Sequence, residues 1–195
     1  MRLKQEESIR WIASRRSVFP KEFEEGSVSM TEIELLLEAA KWAPTHKLTE
    51  PWRFSVIISV EKKNELISLQ QEALLTEKGR SEMAMAKATK FRMIGEKSSA
   101  VIAIIMKRDP QERLPVNEEL WSVACAVQNI HLHASSLNIG GYWSTGAMTN
   151  HPSIRKFLNL GEKDIHMGWF YLGRYTKEKT LIKSRLNQEE YVAWL

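Results

Sequence analysis

The sequence predicts a single domain in which amphipathic helices alternate with short, buried strands. Its 195 residues suffice for one substantial hydrophobic core and would be crowded as two domains. Segments with apolar residues at helical spacing are separated by β-branched runs such as residues 100–106, which is typical of a chain that mixes helices and strands. Because no repeat, linker or low-complexity stretch divides the chain, we expect residues 1–195 to form one unit.

Composition indicates a soluble protein of a reducing compartment. Hydrophobic residues make up 43% and charged residues 27% of the chain, and no apolar run reaches the roughly 18 residues that a bilayer requires. The single cysteine, Cys125, cannot form an internal disulfide. The charged N-terminus does not resemble a signal peptide, so we expect a cytoplasmic protein that does not enter a membrane.

The net charge of +4, from 28 basic and 24 acidic residues, fits an anionic small molecule as well as a nucleic acid. Basic residues are mostly interleaved with acidic ones, and no Lys/Arg block or basic stripe with aromatic residues is present. A nucleic-acid-binding module is therefore the remote alternative, and we expect no nucleic-acid partner.

Periodicity and capping signals predict most of the elements. Apolar spacing and capping residues indicate helices over residues 4–16, 30–43, 61–78 and 81–97, and a long helix that Asn117 caps and that ends at Asn138. The long helix is apolar around most of its circumference, so we expect it to be buried, with Cys125 as an inert core thiol. Strands are expected over residues 52–60, 100–106 and 166–173.

The connector between Trp42 and Phe54 carries unusual side chains. Pro44 and Pro51 bracket it and stiffen its backbone. Between them lie a hydroxyl, an imidazole and an ammonium group, which suit a binding site; these belong to Thr45, His46 and Lys47. A proline-bounded turn with solvated polar groups explains the stretch equally well, and the stretch alone favours that explanation.

A basic pair at the end of the first helix is suited to an anion. Arg15 and Arg16 are followed by Ser17, and arginine offers a planar fork of donors that matches phosphate. The alternative is a basic last turn that complements the helix dipole. Because the chain has no glycine-rich phosphate loop, a phosphate would have to be held by such side chains.

A third candidate follows the glycine pair Gly140–Gly141. Ser144, Thr145 and Gly146 offer hydroxyls and backbone amides just beyond a short predicted strand, where a ring or an anion could bind; a plain turn is the alternative. His131 and His133 lie two residues apart on the long helix and point to different sides, so we expect no metal site.

Taken together, these features resemble the nitroreductase family of FMN-dependent oxidoreductases, and in particular its short branch without large insertions. The resemblance covers nearly the whole chain, and its specificity lies in the order and spacing of five motifs. These are Arg15-Arg16-Ser17, Ala43-Pro44 through His46-Lys47 to Glu50-Pro51-Trp52-Arg53-Phe54, Cys125-Ala126-Val127, Gly140 to Ala147, and Tyr171-Leu172-Gly173.

The resemblance implies an α+β fold with a central, mostly antiparallel sheet wrapped by helices. It also implies an intertwined homodimer with FMN at the interface and NADH or NADPH as electron donor. Nitroaromatic compounds, quinones or related molecules would be reduced by ping-pong transfer through flavin N5. The alternative within the same fold is a flavin-binding protein with another role, such as flavin breakdown, dehalogenation or storage.

The resemblance also assigns site residues. Arg15, Arg16 and Ser17 match the phosphate and ribityl positions, and Arg185 would add a second phosphate charge. The segment that reaches FMN from the partner subunit is matched by Trp42, Thr45 and His46. The stretch beside the flavin ring is matched by Trp143, Ser144, Thr145 and Gly146.

Three positions depart from the family pattern. Leu48 replaces the usual Asn at the flavin pyrimidine, so Lys47 or backbone groups would serve that edge. Ser144 stands where close relatives carry Arg, and Trp42 replaces a more polar residue. No catalytic acid or base is assigned, because flavin chemistry need not use one.

Overall fold

A four-stranded sheet forms the centre of the structure, a computed structural model that describes residues 5–146, 148–176 and 185–195. Its order is β1-β2-β4-β3, and each neighbouring pair is antiparallel. The strands are β1 (Trp52–Ile57), β2 (Ala100–Met106), β3 (Ile139–Ser144) and β4 (Ile165–Arg174). The predicted α+β class and antiparallel sheet are therefore confirmed.

Six α-helices in the described part of the chain surround the sheet. They are α1 (Gln5–Ser14), α2 (Met30–Ala40), α3 (Val60–Lys78), α4 (Glu82–Lys97), α5 (Val116–Ser136) and α6 (Pro152–Phe157). Short 3-10 turns lie at Pro20–Glu22, His46–Leu48 and Gln188–Glu190. None of the described helices is long and apolar enough to cross a membrane.

Strand β2 lies between two hydrophobic layers. Ile102 and Ile104 face one layer, formed with α2 and α5, whereas Val101 and Ala103 face the other, formed with α3, α4 and α6. Every residue of β2 is buried. A strand covered on both faces reads as a continuous apolar run, which is why residues 100–106 could be located without error from sequence.

Several predicted boundaries were wrong for local reasons. Strand β1 stops at Ile57 and does not reach residue 60, because the Ser59 side chain accepts a hydrogen bond from the backbone N–H of Lys62 and caps α3. Helix α1 ends at Ser14 and α2 at Ala40, each before the residue that we expected. Helix α4 begins at Glu82, one residue later than expected, because the Ser81 side chain accepts a hydrogen bond from the Ala84 backbone N–H and caps the helix.

The start and the environment of α5 also correct the prediction. The cap position belongs to Pro115, and Asn117 lies inside the first turn. Cys125 is exposed and is not a core thiol. Trp121, one turn earlier, is 61% exposed, whereas the opposite side of α5 packs on the sheet through residues such as Val127. The helix is therefore buried on one side only within this chain.

Candidate functional site

The basic pair after α1 is attached to the start of β3. Ser17 forms a parallel bridge with Gly141, and the Val18 backbone N–H donates to the Gly141 carbonyl at 3.0 Å. Arg15 and Arg16 immediately precede this bridge, so the chain holds both guanidinium groups near the C-terminal end of α5 and the first residues of β3.

His131, on α5, contacts both arginines. Its Nδ1 lies 3.4 Å from Arg15 Nη1, and its Nε2 lies 2.8 Å from the Arg16 carbonyl oxygen. Burial, followed by the positive charge of Arg15, lowers the pKa of His131 to about 4, although the Arg16 and Gly141 carbonyl groups oppose this shift. The imidazole is therefore neutral at physiological pH.

Three positive charges lie close together in this region. Burial first, and then the nearby charges of Arg16 and Arg185, lower the pKa of Arg15. Across the described ranges, none of these three arginines forms an ion pair with a carboxylate. Arg16 Nε is buried and has no hydrogen-bond partner there. Such an arrangement attracts an anion.

The end of β3 borders a cavity of about 560 Å³. The Trp143 Nε1–H donates to the Met167 carbonyl at 3.0 Å, at the point where the β2–β4 register shifts by one residue. Gly168 has φ +115°, and a Cβ there would collide with the Ser144 carbonyl oxygen. The cavity is lined by Trp143, Thr145, Gly146, Met148, Thr149, Asn150, His166 and Met167.

His166 lies at the buried side of this cavity. Its Nδ1–H donates to the Thr149 carbonyl at 2.8 Å, and burial lowers its pKa. Neither His166 nor His131 was identified as a site residue from the sequence. Their only signal is a polar residue inside an apolar segment, which does not distinguish a functional side chain from a satisfied core histidine.

The connector between the two prolines lies at the opposite end of α5. His46 Nδ1 is 2.6 Å from Glu118 Oε2, and the Lys47 ammonium donates to the Arg113 carbonyl at 3.3 Å. The Glu50 backbone N–H donates to Thr45 Oγ1 at 3.0 Å. These bonds hold a strained backbone, since φ is positive at three non-glycine residues, namely Lys47, Leu48 and Glu50.

The structure therefore brings some predicted site residues together and separates others. Arg15, Arg16 and Ser17 are joined through Gly141 to the strand that ends at Trp143 and Ser144. Thr45, His46 and Lys47 lie beside the first turn of α5, and Trp42, which precedes them, is 73% exposed. From Glu118 to His131 the helix rises about 20 Å, so the arginine segment and the connector segment lie far apart within one chain.

No cluster of three or more potential ligands for a metal ion occurs in the ranges that the structure describes.

Comparisons with known proteins give consistent results. A family model described as "Nitroreductase family" matches residues 12–174. YdjA of Escherichia coli strain K12, provisionally named an NAD(P)H nitroreductase, is 30% identical over 142 residues, which cover 73% of this chain and 75% of that protein. YfhC of Bacillus subtilis strain 168, which has the same provisional name, is 26% identical over 182 residues and 91% of each chain.

Two solved structures share the fold. The nitroreductase-like family protein from Bacillus cereus superimposes with a TM-score of 0.81 at 24% identity, over 100% of this chain and 98% of the other. A nitroreductase with bound FMN from Bacteroides fragilis gives a TM-score of 0.71 at 21% identity, over 97% and 98%.

Proposed function

Because this chain belongs to the nitroreductase family, we propose that it is an FMN-dependent oxidoreductase that oxidises NADH or NADPH and reduces nitroaromatic, quinone or related acceptors. The uncompensated positive charge of Arg15 and Arg16 beside β3 is the observation that carries the proposal. The provisional names of YdjA and YfhC include NAD(P)H, and the Bacteroides fragilis protein binds FMN; both support the same donor and cofactor here.

The basic cluster fits a flavin phosphate. Arg16 offers a buried Nε–H that has no partner in the described residues, Arg15 lies beside it, and the charge of Arg185 is close enough to shift the pKa of Arg15. Ser17 adds an exposed hydroxyl. Charge-assisted hydrogen bonds of this kind contribute roughly 1.5–3 kcal/mol each, so three guanidinium groups supply substantial affinity for a phosphate.

The spacing along β3 fits the rest of the cofactor. Gly141, which is bridged to Ser17, precedes Ser144 by three residues, or about 10 Å of extended strand. A ribityl chain would therefore follow β3 from the arginines to the cavity, where Trp143 and Thr145 would border the flavin ring. When bound, FMN supplies hydride transfer through its N5 atom.

The exposed apolar surface supports a homodimer. Trp121 on α5 and Trp42 after α2 are 61% and 73% exposed, and Trp194 near the C-terminus is also exposed. Since Thr45 and His46 lie at the opposite end of α5 from the arginines, a second copy of the chain would have to bring them to the cofactor. Each site would then be built from two chains.

The first test is the visible absorption spectrum of the purified protein, followed by anaerobic addition of NADH and then NADPH. We expect a yellow protein that one or both nucleotides bleach. A yellow protein that neither nucleotide reduces would favour the other flavin-dependent roles, namely flavin breakdown, dehalogenation or storage. A protein that neither contains FMN nor takes it up on reconstitution would refute the proposal.

The phosphate assignment is tested by the double substitution Arg15→Ala/Arg16→Ala. We expect purified protein without flavin but with the helix content of the parent, measured by circular dichroism. The matched control is Lys78→Ala/Arg80→Ala, which removes two exposed positive charges near the end of α3. A double variant that keeps a full complement of flavin would show that the phosphate binds elsewhere.

The shared site is tested by complementation. A chain with Arg15→Ala/Arg16→Ala is co-expressed with a chain that carries Thr45→Ala/His46→Ala, under different affinity tags. Each variant alone should lack flavin at both sites. The mixed dimer should hold one flavin, because one of its two sites combines the unmodified arginines of one chain with the unmodified Thr45 and His46 of the other. Mixed dimers that contain no flavin would contradict a site built from two chains.

A further inference from the structure

The imidazole ring of His131 is held firmly between α5 and the sheet. The residue is 6% exposed, and its ring packs edge-on against Phe170, with centroids 5.1 Å apart and planes at 87°. A Cβ at Gly141 would lie 3.1 Å from His131 Cδ2 and would collide with the Phe170 ring. Only glycine at this position lets β3 approach the imidazole so closely.

The contacts of His131 fix which nitrogen carries the proton. The Arg16 carbonyl oxygen only accepts, so the Nε2 atom 2.8 Å away must be protonated. The Arg15 guanidinium only donates, so the Nδ1 atom 3.4 Å from it offers a lone pair. One neutral ring therefore connects the side chain of Arg15 to the backbone of Arg16.

A neutral partner preserves the charge of the anion site. Two other arginines of the fold are oriented by carboxylates: Arg108 by Glu119 and Arg174 by Glu32. A carboxylate beside Arg15 would orient the guanidinium but would also cancel its charge. The lowered pKa of His131 is consistent with an acceptor that orients Arg15 without adding charge of either sign.

We propose that His131 is a positioning residue that holds Arg15 and Arg16 in the arrangement that binds the ligand phosphate. This inference rests on the proposed function, which assigns the FMN phosphate to these two arginines. It adds that the preference of the site for a phosphorylated flavin depends on a histidine that does not itself contact the ligand. Loss of this histidine weakens phosphate binding and leaves the binding of the flavin ring unchanged.

The test compares FMN with riboflavin, which lacks the phosphate, in titrations of the apoprotein followed by flavin fluorescence. His131→Leu removes both hydrogen bonds at similar volume. We expect it to weaken FMN binding roughly 10-fold or more, which corresponds to the loss of one hydrogen bond to a charged group, and to leave riboflavin binding unchanged. His131→Gln, whose amide can still donate and accept, should recover part of the FMN affinity.

His133→Leu is the matched control, because it makes the same change two residues along the same helix, where the imidazole Nδ1 lies 3.5 Å from Ser136 Oγ. It should keep the preference of the parent for FMN. An equal loss of affinity for both flavins in the His131 variants, or an unchanged ratio, would overturn the positioning role. If the parent itself takes up FMN but does not prefer it to riboflavin, the phosphate assignment is wrong and this inference falls with it. If the parent binds neither flavin, the proposed function itself fails.

Discussion

The two ends of α5 hold arginine side chains in opposite ways. At the N-terminal end, the buried carboxylate of Glu119 pairs with Arg108 and also accepts the Asp109 backbone N–H at 2.9 Å. Asp109 in turn pairs with Arg113 at 2.8 Å, and hydrogen bonds from Arg113 lower the pKa of Asp109 to about 2. Every charge in this network has a partner of opposite sign.

At the C-terminal end, Arg15 and Arg16 adjoin a neutral histidine and the charge of Arg185. Like charges left together in a folded protein cost free energy, so such a cluster is a place where a ligand supplies the missing charge. The comparison teaches that the number of arginines near a helix says little by itself, whereas the charge of the group beside each arginine shows whether its positive charge is cancelled within the chain.

The largest effect on stability is expected at the N-terminal end of α5, where the charges are paired. Glu119→Gln removes the nearest counter-charge of Arg108, whose side chain is 9% exposed, and leaves it the more distant Glu112 carboxylate at 3.9 Å. We expect a loss of roughly 3–5 kcal/mol in the free energy of unfolding, measured by urea denaturation of the apoprotein. The ratio of FMN to riboflavin affinity should stay that of the parent. A loss below about 1 kcal/mol would show that the network is dispensable.

An intermediate effect on stability is expected when the pH is lowered, because His131 lies at the C-terminal end of α5. The folded pKa of His131 is about 4, below its ordinary value of 6.5, so the unfolded chain binds a proton that the folded chain excludes. His131 therefore destabilises the folded protein as the pH falls from 6.5 to 4, by roughly 3 kcal/mol at the lower limit. The two carboxyl groups whose pKa is near 2, on Glu32 and Asp109, lose their contribution only below pH 4.5.

Unfolding curves at pH 7, 5.5 and 4 measure this effect, with His131→Leu as the comparison. The variant should lose less stability than the parent over this range. His166, whose pKa is also lowered by burial, is present in both proteins and cancels in the difference. Parallel losses in parent and variant would contradict a neutral, buried His131.

The smallest effect on stability is expected for Arg185→Ala. The residue is exposed, and its positive charge repels that of Arg15. Removing it should therefore change the free energy of unfolding by no more than about 0.5 kcal/mol. FMN affinity should nevertheless fall, with a weaker dependence on salt than in the parent. Unchanged FMN affinity would remove Arg185 from the phosphate site.

Local signals explain what the sequence could predict. Strand β2 is a continuous apolar run, and the site segments are marked by arginine pairs, prolines and glycines that act within a few residues. The contact between Arg15 and His131 joins residues 116 positions apart, and no local pattern encodes it. The strained backbone at Lys47 and Leu48 likewise depends on Glu118 and the Arg113 carbonyl, far along the chain.

The error at Cys125 has a different cause. Apolar residues spread around α5 predicted burial on most sides, but the structure of one chain covers only the side that faces the sheet. An apolar helix surface has the same sequence pattern whether it packs within its own chain or against another one. Apolar periodicity therefore predicts that a helix surface is buried, but it does not identify the element or the chain that buries it.

The exposed Cys125 has a practical consequence, because it is the only thiol in the sequence. Alkylation adds a single mass increment per chain, and its rate reports directly how accessible the outer side of α5 is. If a second copy of the chain covers this side of α5, as proposed above, dilution that separates the subunits would accelerate labelling and reassociation would slow it. Cys125 would then report assembly without an introduced probe.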